Sequence, residues 1–198
     1  SVTNMEKMFY KAFAFNQPIG SWDVSSVARM VDMFHKASAF NQPIGNWNVS
    51  SVNTMQSMFW LATSFNQPIG EWDVSSVKNL RSIFQWATSF NQDISGWDVS
   101  SVTNMREAFQ FAHAFNQNLK DWNVSAVNSV YSVFRKAYSF DQDLSNWNIR
   151  TDTNMSKIFD DTSSLSGTNK GLLHEAFSSN PSWPYDWSVF APAPSPPD

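Results

Sequence analysis

The sequence contains no cysteine among its 198 residues, which leaves no thiol nucleophile. This absence fits a reducing compartment and equally fits a cysteine-free secreted repeat domain. The 13 lysine and arginine residues do not cluster, and the formal net charge is −4. Because phosphate binding needs a basic stripe, nucleic acid is not an expected partner. The sequence also lacks a run of eighteen apolar residues, so we expect no membrane span.

Signatures of catalysis are missing as well. The sequence has no phosphate loop and no nucleophilic serine elbow. Its three histidines lie at unrelated positions and lack metal-ligand spacing: His35, His113 and His174. We therefore expect a protein that is not an enzyme and needs no cofactor.

One phrase dominates what is present. FNQPIGNWNVS begins at Phe40, and related phrases begin at Phe15, Phe65, Phe90, Phe115 and Phe140. A fixed period of 25 residues predicts identical coils stacked around one continuous core. We place the repeats at 1–25, 26–50, 51–75, 76–100, 101–125, 126–150 and 151–165. A cap at 166–190 and a proline-rich linker at 191–198 complete this single-domain prediction.

Periodicity within the second repeat predicts its secondary structure. Apolar residues spaced by three and four predict a helix of about three turns: Val27, Met30, Met33, Phe34 and Ala37. The alternation Trp47-x-Val49 predicts a short strand with both side chains inward. Because strands stack more closely than helices, the array should curve with a parallel sheet on the inside.

An Asn-Gln pair follows the first phenylalanine of almost every phrase, as at Asn41-Gln42. A polar residue that recurs at one position of each coil is best explained by hydrogen bonds to turn backbone groups of its own and the next coil. We therefore interpret this amide column as structural.

The repeat resembles a known family. The spacing Ile44-x-x-Trp47-x-Val49, with W-[DN]-V-S-S-V and M-x-x-M-F beside it, resembles the BspA-like repeats of surface proteins, relatives of leucine-rich repeats. The resemblance covers about residues 1–165. It departs from ordinary leucine-rich repeats because valine, as at Val52, stands where their asparagine would be. It implies extracellular display, adhesion or protein interaction.

Together these features predict an α/β fold: a leucine-rich-repeat-like right-handed solenoid with a parallel sheet on the concave side and helices on the convex side. A C-terminal cap should close it, with a helix at Thr168–Phe177 and a last strand at Tyr185–Val189. Trp183, Trp187 and Phe190 should cover the last coil.

The first repeat exposes an apolar face and an open edge, formed by Val2, Met5, Met8, Phe9 and Trp22. Stacked repeats need covered ends. We expect further repeats or a cap before Ser1, or an assembly that covers this edge.

Two surfaces are candidates for binding. On the predicted concave face, short polar side chains alternate with the core, and four acids gather in the middle: Glu71, Asp73, Asp98 and Asp121. Oxygen ligands of this kind suit calcium, and the neighbouring hydroxyls suit glycans. The alternative is that these side chains merely solvate an exposed face.

The second surface lies on the predicted helices. Trp60, Leu61, Trp86 and Phe111 occupy positions that should point away from the core, between basic copies of the same positions. An exposed apolar patch with a polar rim predicts a protein-docking surface. The alternative is that these rings fill grooves between neighbouring coils.

These surfaces favour a non-enzymatic protein-interaction or adhesion module, extracellular or at a cell surface, whose partner is a protein or a cell-surface glycan. One alternative is a structural subunit that self-assembles through the open first coil. The other is a calcium- or glycan-binding module that uses the polar face.

Overall fold

The computed structural model describes residues 1–191 as a stack of 25-residue coils joined by backbone hydrogen bonds. Single parallel bridges link successive coils at Asn4, Arg29, Thr54, Asn79, Asn104, Ser129 and Asn154. We number the coils 1 to 7, each starting 25 residues after the last. The regular elements of the described residues are helix α1, Gly167–Phe177, and a short 3-10 helix, Ser188–Phe190.

The predicted leucine-rich-repeat-like solenoid, with its concave parallel sheet and convex helices, is wrong. Within residues 1–191 the bridges between coils are isolated and form no sheet, and no helix precedes Gly167. The segment predicted as a helix is a run of overlapping turns instead. In coil 2, the His35 N–H donates to the Asp32 carbonyl, three residues back, at 3.2 Å.

Alternate amides of the same segment bond along the stack. The Phe34 N–H donates to the Met58 carbonyl of coil 3 at 2.8 Å, and the Lys36 N–H to the Trp60 carbonyl at 2.7 Å. Every second backbone donor is therefore satisfied by the next coil, and an α-helix, which uses its amides internally, could not make these bonds.

Two residues in each coil have the left-handed backbone that this arrangement requires. In coil 2 they are Asp32, with φ 54°, and Lys36, with φ 62°. A positive φ at the third residue of a turn is the mark of type II. These positions recur as Lys7, Lys11, Asp32, Lys36, Ser57, Leu61, Ser82, Trp86, Glu107, Phe111, Ser132, Lys136, Lys157 and Asp161. None is glycine, although the left-handed region costs other residues about 1–2 kcal/mol.

The predicted strand at Trp47-x-Val49 is also wrong. Both side chains are buried and Asn48 is exposed, as the alternation predicted. The backbone, however, closes local turns: the Trp47 N–H donates to the Ile44 carbonyl at 3.1 Å. The Trp47 indole N–H donates to the Ile19 carbonyl of coil 1 at 3.2 Å, so the ring bridges neighbouring coils.

The core is built from ladders of identical aromatic rings. Phe34, Phe59 and Phe84 stack with centroids 5.6 Å apart and are fully buried. Within coil 2, Phe34 also stacks on Phe40 at 4.0 Å. Coils 1 to 6 repeat these contacts, so the aromatic rings hold successive coils in register.

The amide column is structural, which confirms the prediction. The Asn41 side-chain oxygen accepts a bond from the Asn66 N–H at 2.9 Å and another from the Gln67 amide at 3.0 Å. Equivalent bonds join the other coils. Each asparagine therefore fastens the turn of the next coil to its own.

The C-terminal segment packs on coil 7. Helix α1 confirms the predicted helix and begins one residue earlier, at Gly167. The predicted strand at Tyr185–Val189 is wrong, because the 3-10 helix occupies part of it. The Tyr185 hydroxyl accepts a bond from the Phe159 N–H at 2.9 Å, and so takes the place of a carbonyl from a next coil. Burial raises the pKa of Tyr185, which keeps the hydroxyl protonated and able to donate to Asp160.

Of the three residues predicted to cover the last coil, two contact it and one does not. Trp183 and Trp187 contact Phe159 with centroids 6.4 and 5.9 Å away, as expected. Phe190 is 42% exposed and lies beside Lys170 instead. Of the predicted linker 191–198, all but Ala191 lies outside the described residues.

Coil 1 exposes apolar side chains at its open face, including Met8 and Trp22. The helices found within residues 1–191 are too short or too polar to cross a membrane.

Candidate functional site

The four acids predicted to form a polar site are all exposed, and two of them are occupied by bonds within their own turns. The Asp73 carboxylate accepts from the Ser75 hydroxyl at 2.6 Å and from the Ser75 N–H at 3.1 Å. These bonds hold the pKa of Asp73 below its usual value, and bonds from Ser100 do the same for Asp98. The carboxylates therefore stabilise turns.

The other two acids have different surroundings. Asp121 accepts a bond from the Asn146 amide at 3.3 Å. Glu71 lines a cleft of about 570 Å³ that opens where Gly96 leaves out a side chain. Among residues 1–191, no three His, Cys, Asp or Glu side chains are grouped so that they could hold a metal ion.

Three of the four predicted docking residues lie at the second left-handed position of the coils. Leu61, Trp86 and Phe111 have φ values of 58°, 59° and 58°. Their amides donate to carbonyls of the next coil, each at 2.9 Å. The same backbone geometry in three consecutive coils aligns the three side chains along the stack. We call Leu61, Trp86 and Phe111 the apolar row.

The rings of the row contact each other closely. Trp86 and Phe111 stack with centroids 3.8 Å apart and an interplanar angle of 9°. Both side chains are half-buried, as is Leu61, so the prediction that they point fully into solvent is only partly correct. Each large ring is covered on one face by its neighbour and keeps part of its surface for contact.

Two further aromatic residues extend the row sideways. His113 lies edge-on to Trp86 and Phe111, with centroids 6.0 and 6.4 Å away, and stacks on Tyr138 at 4.7 Å. Tyr138 is 42% exposed. The His113 Nε2 atom is buried and has no partner among the described residues, and burial lowers its pKa, so the ring is neutral near pH 7.

Sequence reasoning missed His113 and Tyr138. Both lie two residues after the row position of their coils, where the other coils carry Phe13 or a small hydroxyl residue such as Thr88. The sequence does contain a signal for them, because both are aromatic residues at the same position of neighbouring repeats.

Trp60 has a different role from the one predicted. Its ring stacks on His35 at 4.3 Å, and the His35 Nδ1 lies 3.0 Å from an Asp32 carboxylate oxygen. Tyr10 contacts the other end of this stack at 4.8 Å. In coil 4, Gln85 occupies the position that Trp60 has in coil 3, and its side-chain amide donates to Gln110 at the same position of coil 5. Trp60 therefore belongs to a stacked column beside the row.

This stacked column forms one wall of a groove of about 520 Å³. The buried hydroxyl residues Ser57 and Ser82 lie between Asp32 and Glu107 along it, and Arg81 and Gln56 also line it. Glu107 is engaged by Arg81 at 3.7 Å. The groove is polar, whereas the row beside it is apolar.

Lysines continue the apolar row at both ends. Lys36 precedes Leu61 at the same position of coil 2, and Lys136 follows Phe111 in coil 6. The Lys136 ammonium lies 5.2 Å from the centre of the Phe111 ring. Neither lysine forms an ion pair with another described residue. Asp161 occupies the equivalent position in coil 7.

The coils share one backbone geometry and carry different side chains at the row position, as is typical of a repeat protein. The chain belongs to the family described as "Mycoplasma protein of unknown function, DUF285", whose model matches residues 1–85 and 68–171. Neither the curated proteins nor the solved structures contain a match to the chain.

Proposed function

We propose that this protein is a non-enzymatic interaction module that docks a protein partner on the apolar row. The observation that carries the proposal is the alignment of Leu61, Trp86 and Phe111 in three consecutive coils, held by bonds of their own backbone amides. The core does not require large apolar side chains there, because lysine occupies the same position in coils 1, 2 and 6. A surface cluster that the fold does not need is best explained by contact with another molecule.

The proposal includes display at a cell surface, where the protein would serve adhesion. The support is the resemblance of the repeat phrase to BspA-like surface repeats, together with membership of a repeat family. Antibody labelling of intact source cells tests this location. If labelling needed permeabilised cells, display at the surface would be ruled out.

Site-specific cross-linking tests the docking surface directly. The photoreactive residue p-benzoylphenylalanine would replace Phe111 in the protein expressed in its source cells. Val189, which is 82% exposed and lies far along the chain from the row, is the matched control position. We expect a discrete cross-linked product from position 111 that position 189 does not give. No product at 111, or the same product at both positions, would exclude the row as a docking surface.

A second candidate function is assembly through coil 1. It rests on the exposure of Val2, Met8 and Trp22 at the open face of this coil. Sedimentation equilibrium over a range of concentrations should then give a mass that rises with concentration. The double substitution Val2→Asp and Met8→Asp should abolish the rise, and a monomeric wild-type protein would contradict this candidate.

A further inference from the structure

We propose that the partner segment bound by the apolar row is an acidic, extended peptide with at least one aromatic or leucine anchor. This inference rests on the proposed function and adds the chemistry of the partner. It depends on the charges around the row.

The charges at the ends of the row have the sign opposite to that of the whole protein. Lys11 and Lys36 lie before Leu61, and Arg135 and Lys136 lie after Phe111. The chain as a whole has a net charge of −4. Between these ends the row has no charged side chain, so it presents an apolar centre between two basic ends. A bound segment of complementary chemistry has apolar residues in its middle and carboxylates toward both ends.

The basic groups at these ends are available. The Lys11 ammonium lies over the Tyr10 ring at 5.1 Å, and that of Lys136 over the Phe111 ring at 5.2 Å. The lysines form no ion pair with a described carboxylate. Asp161, next along the row from Lys136, reduces the positive charge at that end without bonding to it. An incoming carboxylate therefore finds lysines whose charge is not neutralised by a salt bridge.

The shape of the row suits an extended chain. Lys36 and Lys136 are four coil steps apart, about 19 Å at the spacing of hydrogen-bonded neighbouring chains. About six residues of extended peptide span this distance. The row is one side chain wide, and its rings are half-buried, so it offers a narrow strip of contact. A membrane would require a broader apolar face.

Selection from a display library of random peptides of about twelve residues tests the inference. Peptides are selected for binding to the wild-type protein. Those that also bind the Trp86→Ser protein are discarded, because they bind outside the row. Serine is a compatible replacement, because Ser57 and Ser82 already occupy left-handed positions in this fold. We expect the peptides that depend on Trp86 to be enriched in Asp and Glu and to contain Trp, Phe or Leu.

Charge reversal then tests the role of the two lysines. Binding of a selected peptide, measured by fluorescence anisotropy, should weaken on the order of tenfold with Lys36→Glu and Lys136→Glu together. The matched control is Lys78→Glu with Lys157→Glu, which reverses two exposed lysines outside the row and should leave binding unchanged. Equal urea midpoints for all variants would show that each one folds.

Several results would overturn the inference. Selected peptides without an acidic excess, or binding unaffected by charge reversal at Lys36 and Lys136, would exclude an acidic partner. Trp86-dependent binding to phosphatidylglycerol vesicles would assign the row to an anionic membrane. A failure to select any Trp86-dependent peptide would also refute the inference, and cross-linking at Phe111 would show separately whether the row docks a partner at all.

Discussion

Replacing Gly45 with alanine tests how closely the coils approach each other. A Cβ atom built on Gly45 would lie 2.5 Å from the Pro68 carbonyl oxygen of the next coil. Real Cβ atoms essentially never approach another heavy atom so closely, and backbone cannot rotate away as a side chain can. One of the two coils must therefore shift, and forced overpacking of this kind costs about 1–3 kcal/mol.

Gly96→Ala is the matched control. No heavy atom outside residues 95–97 lies within 4 Å of a Cβ atom built there. Both substitutions reduce the freedom of the unfolded chain, which stabilises the folded protein by about 0.4–1 kcal/mol. The difference between the two variants therefore isolates the steric overlap, and it should equal about 1–3 kcal/mol.

Urea unfolding followed by tryptophan fluorescence measures this difference. We expect Gly45→Ala to lower the unfolding midpoint and Gly96→Ala to keep or raise it. Thermal unfolding should show the same order, with a separation of about 2–4 °C for each kcal/mol in a chain of this size. Equal midpoints for the two variants would refute the close packing of coils 2 and 3 at this turn.

The remaining predictions concern protonation and backbone strain. Burial lowers the pKa of His35 and of His113, so the unfolded chain binds more protons than the folded protein as the pH falls through about 6.5. The free energy of unfolding should therefore decrease between pH 7 and 5, and a double variant, His35→Gln with His113→Gln, should show a flatter dependence in urea titrations. If the double variant showed the same pH dependence as the wild type, the two histidines would not be the groups responsible. At the left-handed position 157, Lys157→Gly should stabilise by up to about 1 kcal/mol, whereas Ser156→Gly beside it should destabilise by about 0.5–1 kcal/mol. If both glycine variants shifted the urea midpoint in the same direction, the backbone at Lys157 would not be strained.

Part of the candidate site followed from the sequence. Leu61, Trp86 and Phe111 were identified because they interrupt a regular pattern at one position of the repeat, and the structure aligns them. Trp60 was placed with them by proximity in sequence, but its ring stacks on His35 instead. The direction of its side chain depends on the backbone angles of each turn, and residue spacing does not encode these angles.

The sequence by itself determined the period, the residues of the core and the amide column. Val27, Met30, Met33, Phe34 and Ala37 are all fully buried, as their spacing predicted. Burial follows from which side chains are apolar and recur, so it can be determined without knowledge of the backbone path.

Only the tertiary structure decided the backbone conformation. Apolar residues three and four apart face one side of an α-helix, and they also face one side of these overlapping turns. The choice depends on whether each amide bonds within its own segment or to the carbonyl of the neighbouring coil. The Phe34 N–H finds the Met58 carbonyl 24 residues later, a partner that exists only after the coils have stacked.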